Sequence, residues 1–265
     1  PPADCWFDKA GKGKFDSFAI PFEQMYKITK GHGFPCMPTS SHDTWRINRN
    51  QRSTLAELKT AMTFFLTMPW VPGRVKMAAG VLSMMNGSTF VYYGEEIGMK
   101  SMDGVPHIEG SRDRSAERTP MQWGAGETAG FSTCDPSKLY LPVDNTPGRP
   151  DVESQESDPE SMLNYTRNLL ALRTEHPALG NTADWRMLTD PLVPYPLVYE
   201  RTDGKETFII IINPREKAAE AVVEVQGEVE PFWGNVNGVR IRKVKGQTSL
   251  KVNGVSAVIC RINNN

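Results

Sequence analysis

Thr89–Met99, TFVYYGEEIGM, is the stretch on which the reading of the fold turns. Thr89, Phe90, Val91, Tyr92 and Tyr93 form a continuous β-forming run with little polar alternation, the pattern of a strand covered on both faces. Gly94 ends the run, and Glu95 and Glu96 stand just beyond it. Upstream, Val75, Met77, Ala78, Val81, Leu82 and Met85 fall at helical spacing, so a helix is expected over about Arg74–Met85, stopped by Asn86-Gly87. Its methionine-rich face reads as core packing. Helix, turn, strand and polar exit in succession make a βα-type rhythm.

Working back, His32–Arg49 (HGFPCMPTSSHDTWRINR) repeats that rhythm. An apolar lead-in, Phe34–Pro38, runs into a polar cluster holding Ser40, Ser41, His42, Asp43, Trp45 and Arg46. A carboxylate supplies charge, His shares hydrogen bonds, Arg offers a rigid five-donor fork and Trp a flat apolar face. Neutral polyols are bound by such sets. The competing reading is a buried His-Asp pair pinning a strand-to-helix turn, since Asp is also an ordinary helix cap. Two strands that each end in polar residues fit either an open α/β sheet or a (β/α) barrel. No Gly-rich phosphate loop follows either one, which weighs against a nucleotide-binding sheet.

The flanking segments extend this pattern. Phe15–Ile20 reads as a short strand, and Pro21 then opens a helix carrying Phe22, Met25, Tyr26 and Ile28. Thr54-x-x-Glu57 is a capping box for a helix over Leu55–Met68. Met99–Ser157 is a long irregular region in which Arg112, Asp113, Arg114, Glu117, Arg118, Trp123, Phe131 and Tyr140 argue for a folded loop covering a pocket. Asp158-Pro159-Glu160 reads as the start of a helix closed by Pro177. From about Trp185 the period changes. Val198–Arg201, Glu206–Asn213, Ala219–Gln226, Val239–Val244, Gln247–Val252 and Val255–Ile262 are short β-like runs between turns. They predict a separate small sandwich of structural role, with a boundary near residues 180–184.

Size and composition bound the rest. The chain has 265 residues, a formal net charge of -1 and 39% hydrophobic residues, which is a globular balance and no footprint for nucleic acid. No apolar run reaches the roughly 20 residues that span a bilayer. Cys5, Cys36, Cys134 and Cys260 lie far apart with no CxxC pair, so neither structural zinc nor a disulfide scaffold is expected. The chain begins at Pro1 with no signal-peptide pattern, and it reads as a processed product or a fragment.

The order of these pieces resembles the back half of a glycoside hydrolase of the alpha-amylase family (family 13), in its oligo-1,6-glucosidase and α-glucosidase subgroup. Ser41-His42-Asp43-Thr44-Trp45-Arg46 resembles the segment after the family's seventh barrel strand, with Ser41 where the family has Asn. Phe90–Met99 resembles the eighth strand and its exit, with Gly87-Ser88-Thr89 in place of Gly-Thr-Pro. Arg118-Thr119-Pro120-Met121-Gln122-Trp123 is similar to the subgroup's RTPMQW signature. Ala129–Ser132, Val152–Gln155 and Tyr165–Arg173 follow in the family's order.

The resemblance implies an α/β fold: the C-terminal part of a (β/α)8 TIM barrel over residues 1–183, about strands six to eight with the long loop 99–157, then a small all-β sandwich over 184–265. Phe15–Ile20 would be the sixth strand. By the same resemblance Asp43 is the carboxylate that stabilises the transition state, His42 hydrogen-bonds the sugar, and Arg46 binds substrate or orients nearby loops and carboxylates. The nucleophilic Asp and the acid/base Glu would follow the fourth and fifth strands, ahead of Pro1. No cofactor is expected in this chain, and a calcium ion would belong to the N-terminal half. Glu95-Glu96 is not expected to form a catalytic pair, because adjacent side chains point apart; a loop-anchoring Glu fits better.

Three readings follow. In the first, the chain is part of a retaining α-glucosidase acting on malto- or isomalto-oligosaccharides, inactive by itself, with an N-terminal polypeptide completing the barrel. In the second it is a non-catalytic sugar-binding or scaffold module of the same fold. In the third it is an unrelated α/β protein that binds another polar ligand. Open strand edges and an uncovered core argue that a partial barrel needs its remaining strands.

Overall fold

The computed structural model describes residues 16–30, 37–38, 40, 46–48, 54–67, 89–108, 112–190, 192–193 and 195–263. In chain order the helices and strands are α1 (Asp16–Thr29), β1 (Met37–Pro38), α2 (Leu55–Thr67), β2 (Thr89–Phe90), α3 (Val152–Glu156), α4 (Met162–Glu175), β3 (Asp184–Met187), β4 (Leu197–Thr202), β5 (Thr207–Asn213), β6 (Ala219–Val223), β7 (Glu228–Gly234), β8 (Val239–Val244), β9 (Gln247–Val252) and β10 (Ser256–Asn263). Contacts divide the chain into two compact units. One comprises residues 1–37, 60–88 and 170–265, the other residues 38–59 and 89–169. The helix expected over Arg74–Met85 lies outside the described residues.

The first unit holds the sandwich. Its larger sheet runs β3-β4-β5-β10-β7 and its smaller one β6-β9-β8, with every described pairing antiparallel. Between the sheets lies a core of Val198, Ile209, Ile211, Val258 and Cys260 against Val223, Leu250 and Val252. Phe208, Ile210 and Ile212, on the opposite face of β5, are also buried. This is why Phe208–Ile212 reads as an unbroken apolar run: the strand is covered on both sides. On that second face Tyr199 Oη and Thr67 Oγ1 share a hydrogen bond of 2.6 Å, tying β4 to the end of α2. Arg201, fully buried, donates to the Thr67 carbonyl at 2.6 Å and to the Gly180 carbonyl. Arg173 donates to the Leu66 carbonyl. Two guanidinium groups thus satisfy carbonyls that the last turn of α2 leaves without helical partners. Burial lowers the pKa of Arg201 to about 10, with the neighbouring Arg173 charge adding to the effect.

Sequence and structure differ at several places in the helices and strands. Phe15–Ile20 was expected as a strand, yet α1 runs from Asp16 through Pro21 to Thr29. Phe18, Phe22 and Met25 recur at i, i+4 and i+7, and this helical period outweighs the short alternation. The helix expected from Pro159 begins at Met162. Asp158 caps its own turn through the Glu160 amide (2.9 Å), and the Ser161 hydroxyl accepts from the Asn164 amide (3.1 Å) as the true N-cap. β7 was not expected at all, because Pro231 interrupts it; as the edge strand next to a register shift at Ile259/Cys260, it tolerates the missing donor.

The second unit is built around a tight turn after β2. The strand ends at Phe90, three residues earlier than its sequence suggests. The Glu95 amide donates to the Tyr92 carbonyl (3.0 Å), and a short 3-10 helix, Glu95–Ile97, sits between Gly94 and Gly98. Gly94 is needed here: its φ is 86°, and a Cβ would lie 2.6 Å from Met99 Sδ and 3.1 Å from Arg46 Nη1. Ile97, Met99, Met121 and Leu163 close a small apolar core over this turn. Gln155 locks it, donating to the Ile97 carbonyl (2.8 Å) while accepting from the Leu163 amide (3.0 Å). The capping box of α2 forms as expected, with Glu57 N to Thr54 Oγ1 at 3.3 Å and Thr54 N to Glu57 Oε2 at 2.6 Å. The expected pocket-covering region is folded: its RTPMQW segment buries Thr119, Met121 and Gln122, and the Gln122 amide side chain donates to the Pro150 carbonyl.

Candidate active-site frame

Two buried carboxylates, Glu95 and Glu117, and one buried arginine, Arg46, gather beside the turn after β2. Arg46 is 1% exposed. Its guanidinium donates through Nη1 to the Tyr93 carbonyl (2.6 Å) and through Nη2 to the Glu117 carbonyl (3.1 Å). The cation lies 4.9 Å from the Tyr92 ring centroid and 4.8 Å from that of Tyr93. Each such contact stabilises a desolvated cation by roughly 0.5–2 kcal/mol. The rings are themselves fixed, Tyr92 Oη donating to the Glu117 carbonyl (3.1 Å) and Tyr93 Oη to the Thr119 carbonyl (2.8 Å).

Glu117 receives the Arg46 amide (3.3 Å) and the Ser101 hydroxyl (2.6 Å) on one carboxylate oxygen. Glu95 is 2% exposed. Its carboxyl group accepts from the Ser40 hydroxyl and from the Ile47 amide (3.3 Å to each oxygen). Burial pushes its pKa up to about 7; the Ser40 bond, the Arg46 charge and the Ile47 amide pull it down, and Glu96 adds to the rise. Burial also raises the pKa of Glu96. The side-chain amide of Asn48 completes the frame by donating to the Gly98 carbonyl (2.9 Å).

His42 and Asp43 lie outside the described residues. Ser40 and Ile47, which bracket them in the sequence, are both described and both bonded to Glu95. Arg46 is placed with its fork on the Tyr93 and Glu117 carbonyls and its Cζ 4.9 Å and 4.8 Å from the Tyr92 and Tyr93 ring centroids. The guanidinium thereby ties the turn after β2 to the segment at Glu117. Glu95 sits where a loop-anchoring residue was expected. Trp123 and Phe131 are about half exposed, so neither is a core residue. In the sequence Ser40 stands out only as part of the polar cluster and Glu117 only as part of the folded loop, and Ser101 does not stand out at all. Spacing carries no signal for these bonds: Ser40 meets Glu95, Glu117 meets Arg46 and Ser101 meets Glu117, each from a distant segment.

Among the described residues no group of three His, Cys, Asp or Glu side chains is placed to hold a metal ion. Among those residues, too, no helix is long and apolar enough to cross a membrane. Cys134 and Cys260 are free thiols, and burial pushes the Cys260 pKa up to about 12.

Residues 14–182 match the alpha-amylase catalytic domain. Over 172 residues the chain is 33% identical to the oligo-1,6-glucosidase of Parageobacillus thermoglucosidasius, a match covering 54% of this chain and 29% of that enzyme. Over 111 residues it is 38% identical to the trehalose synthase/amylase TreS of Mycobacterium tuberculosis (strain ATCC 25618 / H37Rv), covering 40% and 18% of the two chains. The fold is similar to that of the alpha-glucosyl transfer enzyme XgtA, with a TM-score of 0.69 at 21% identity over 96% of this chain and 45% of that one. The chain spans less than half the length of each of these proteins. The architecture is the C-terminal part of a (β/α)8 barrel followed by a β-sandwich, and by its catalytic-domain match the chain belongs to the alpha-amylase family of glycosidases.

Proposed function

We propose that this chain is part of a retaining α-glucosidase that cleaves α-glucosidic bonds in malto- or isomalto-oligosaccharides, with residues 1–183 contributing to the barrel. Retaining cleavage needs a nucleophilic carboxylate and an acid/base about 5–5.5 Å apart, with an oxocarbenium-like transition state. Asp43 is neither of the two. It hydrogen-bonds sugar hydroxyls and stabilises the developing positive charge, an electrostatic contribution made by a preorganised group. His42 hydrogen-bonds the same sugar, and Arg46 fixes the surrounding turn. The nucleophile and acid/base come from an N-terminal polypeptide that completes the barrel. Ile20 and Ile28 on α1 are exposed, the kind of apolar surface such a polypeptide would cover.

The observation that carries this reading is the anchoring of Ser40, Arg46 and Ile47. Residues on both sides of the His42-Asp43 pair are held by buried carboxylates, as expected where a charged group must be presented in a fixed position. The oligo-1,6-glucosidase relative supports an α-glucoside as substrate. The test is turnover of p-nitrophenyl α-glucoside by the chain alone and by the chain combined with a polypeptide carrying barrel strands one to five. Activity only in the combination is expected. Calorimetric binding of maltose with no cleavage by the combination would favour a non-catalytic sugar-binding module instead.

A further inference from the structure

We propose that Glu95 is a positioning residue for the reaction, a clasp that fixes the spacing between Ser40 and Ile47, the two anchors that flank Asp43 in the sequence. The inference rests on the reading of Asp43 given above, but the clasp itself is tested without it.

The argument starts from hydrogen-bond accounting. Glu95 is buried, and its two oxygens take the Ser40 hydroxyl and the Ile47 amide. These donors stand seven positions apart in the sequence, on either side of the His42-Asp43 pair. No other described side chain bonds to both. A buried carboxyl group that lost one donor would be left under-satisfied away from water, so the two anchors hold or fail together. The base of the clasp is rigid for separate reasons. Glu95 opens a 3-10 turn between two left-handed glycines, and that turn is pinned by Met99 N to Gly94 O (2.8 Å) and by Gln155 on Ile97.

The charges around the clasp are asymmetric. Arg46 and Glu96 act on Glu95 directly, and Glu117 meets the backbone amide of Arg46 on the neighbouring side. Burial, with Glu96 beside it, favours a protonated Glu95, while the Arg46 charge acts the other way. The proton does not abolish the acceptor geometry, because an uncharged carboxyl or amide keeps a carbonyl oxygen for Ser40 and Ile47. Glu95→Gln therefore preserves the clasp, and Glu95→Ala removes it.

Two readouts on Glu95→Ala, Glu95→Gln and the milder Ser40→Ala test the proposal. The first is amide hydrogen exchange at Ile47 in this chain. Loss of the acceptor in Glu95→Ala should speed exchange by about tenfold or more, with Glu95→Gln near wild type. Ser40→Ala should fall between, and it serves should the Glu95→Ala chain fail to fold. The second is kcat and KM for p-nitrophenyl α-glucoside in the completed barrel. Glu95→Ala should lower kcat by about tenfold or more with KM nearly unchanged, and Glu95→Gln should rescue it. Wild-type exchange at Ile47 in both Glu95→Ala and Ser40→Ala would overturn the clasp. Faster exchange with an unchanged kcat would overturn its role in positioning. A wild-type barrel that never turns over, while exchange follows the expected order, would instead sink the α-glucosidase reading and leave the clasp standing.

Discussion

The guanidinium of Arg46 donates to the main-chain oxygen of Tyr93 at 2.6 Å while its Cζ lies over the Tyr93 ring, 4.8 Å from the centroid. One side chain thus satisfies the backbone of the turn after β2 and fills the space beside it. A planar fork does both; an ammonium group does not.

Replacing that fork should be costly. Arg46→Lys keeps the charge but loses the paired donation to the Tyr93 and Glu117 carbonyls and the stacking on two rings. Arg46→Ala removes the donor altogether and leaves the Tyr93 and Glu117 carbonyls without it, a loss of roughly 1–3 kcal/mol. Urea unfolding should rank wild type above Arg46→Lys above Arg46→Ala. Equal midpoints would contradict a structural role for the guanidinium.

Stability should respond to the titration of Glu95. Its pKa is raised from the model-compound value of 4.5 to about 7. Between those values the folded chain keeps a proton that the unfolded chain releases. Its contribution is therefore present in full below pH 4.5 and is lost as pH rises through 7. The size is on the order of 3 kcal/mol from the shift itself. Wild type and Glu95→Gln, compared by urea unfolding from pH 5 to pH 8, should diverge in that direction, with wild type losing ground as pH rises. Parallel curves would show that Glu95 ionises in the folded chain as it does in the unfolded one.

In the first unit, Arg201 and Tyr199 bind the sandwich to the end of α2. Tyr199→Phe removes only the 2.6 Å bond to Thr67 and should cost about 1 kcal/mol. Arg201→Met leaves the Thr67 and Gly180 carbonyls without that donor and should cost several times more, roughly 3 kcal/mol or above. Thermal unfolding of the two variants should show that order, and the reverse order would contradict the assignment of Arg201 as the main tie.

Much of this architecture is legible in the sequence, for identifiable reasons. Thr54 and Glu57 announce α2 because a capping box is a local, reciprocal pair. Residues Ile209–Ile212 announce a doubly covered strand because no polar position interrupts them. Pro231 hides β7, since the tolerance of an edge strand for a missing donor depends on neighbours that the local sequence does not reveal. Phe15–Ile20 misleads because six residues are too few to separate a period of 2 from one of 3.6. At the candidate site, the His42-Asp43 segment is conspicuous as a motif, and Arg46 follows from it. Ser40, Ser101 and Glu117 are ordinary residues whose partners lie 16 to 71 positions away, so only the folded chain assigns them.

The most direct measurement of the central claim is kcat for p-nitrophenyl α-glucoside with wild type and Asp43→Asn in the completed barrel. A lone transition-state carboxylate predicts a fall of about 100-fold or more in kcat for Asp43→Asn, with no more than a modest change in KM. Turnover by Asp43→Asn at the wild-type rate would contradict the account.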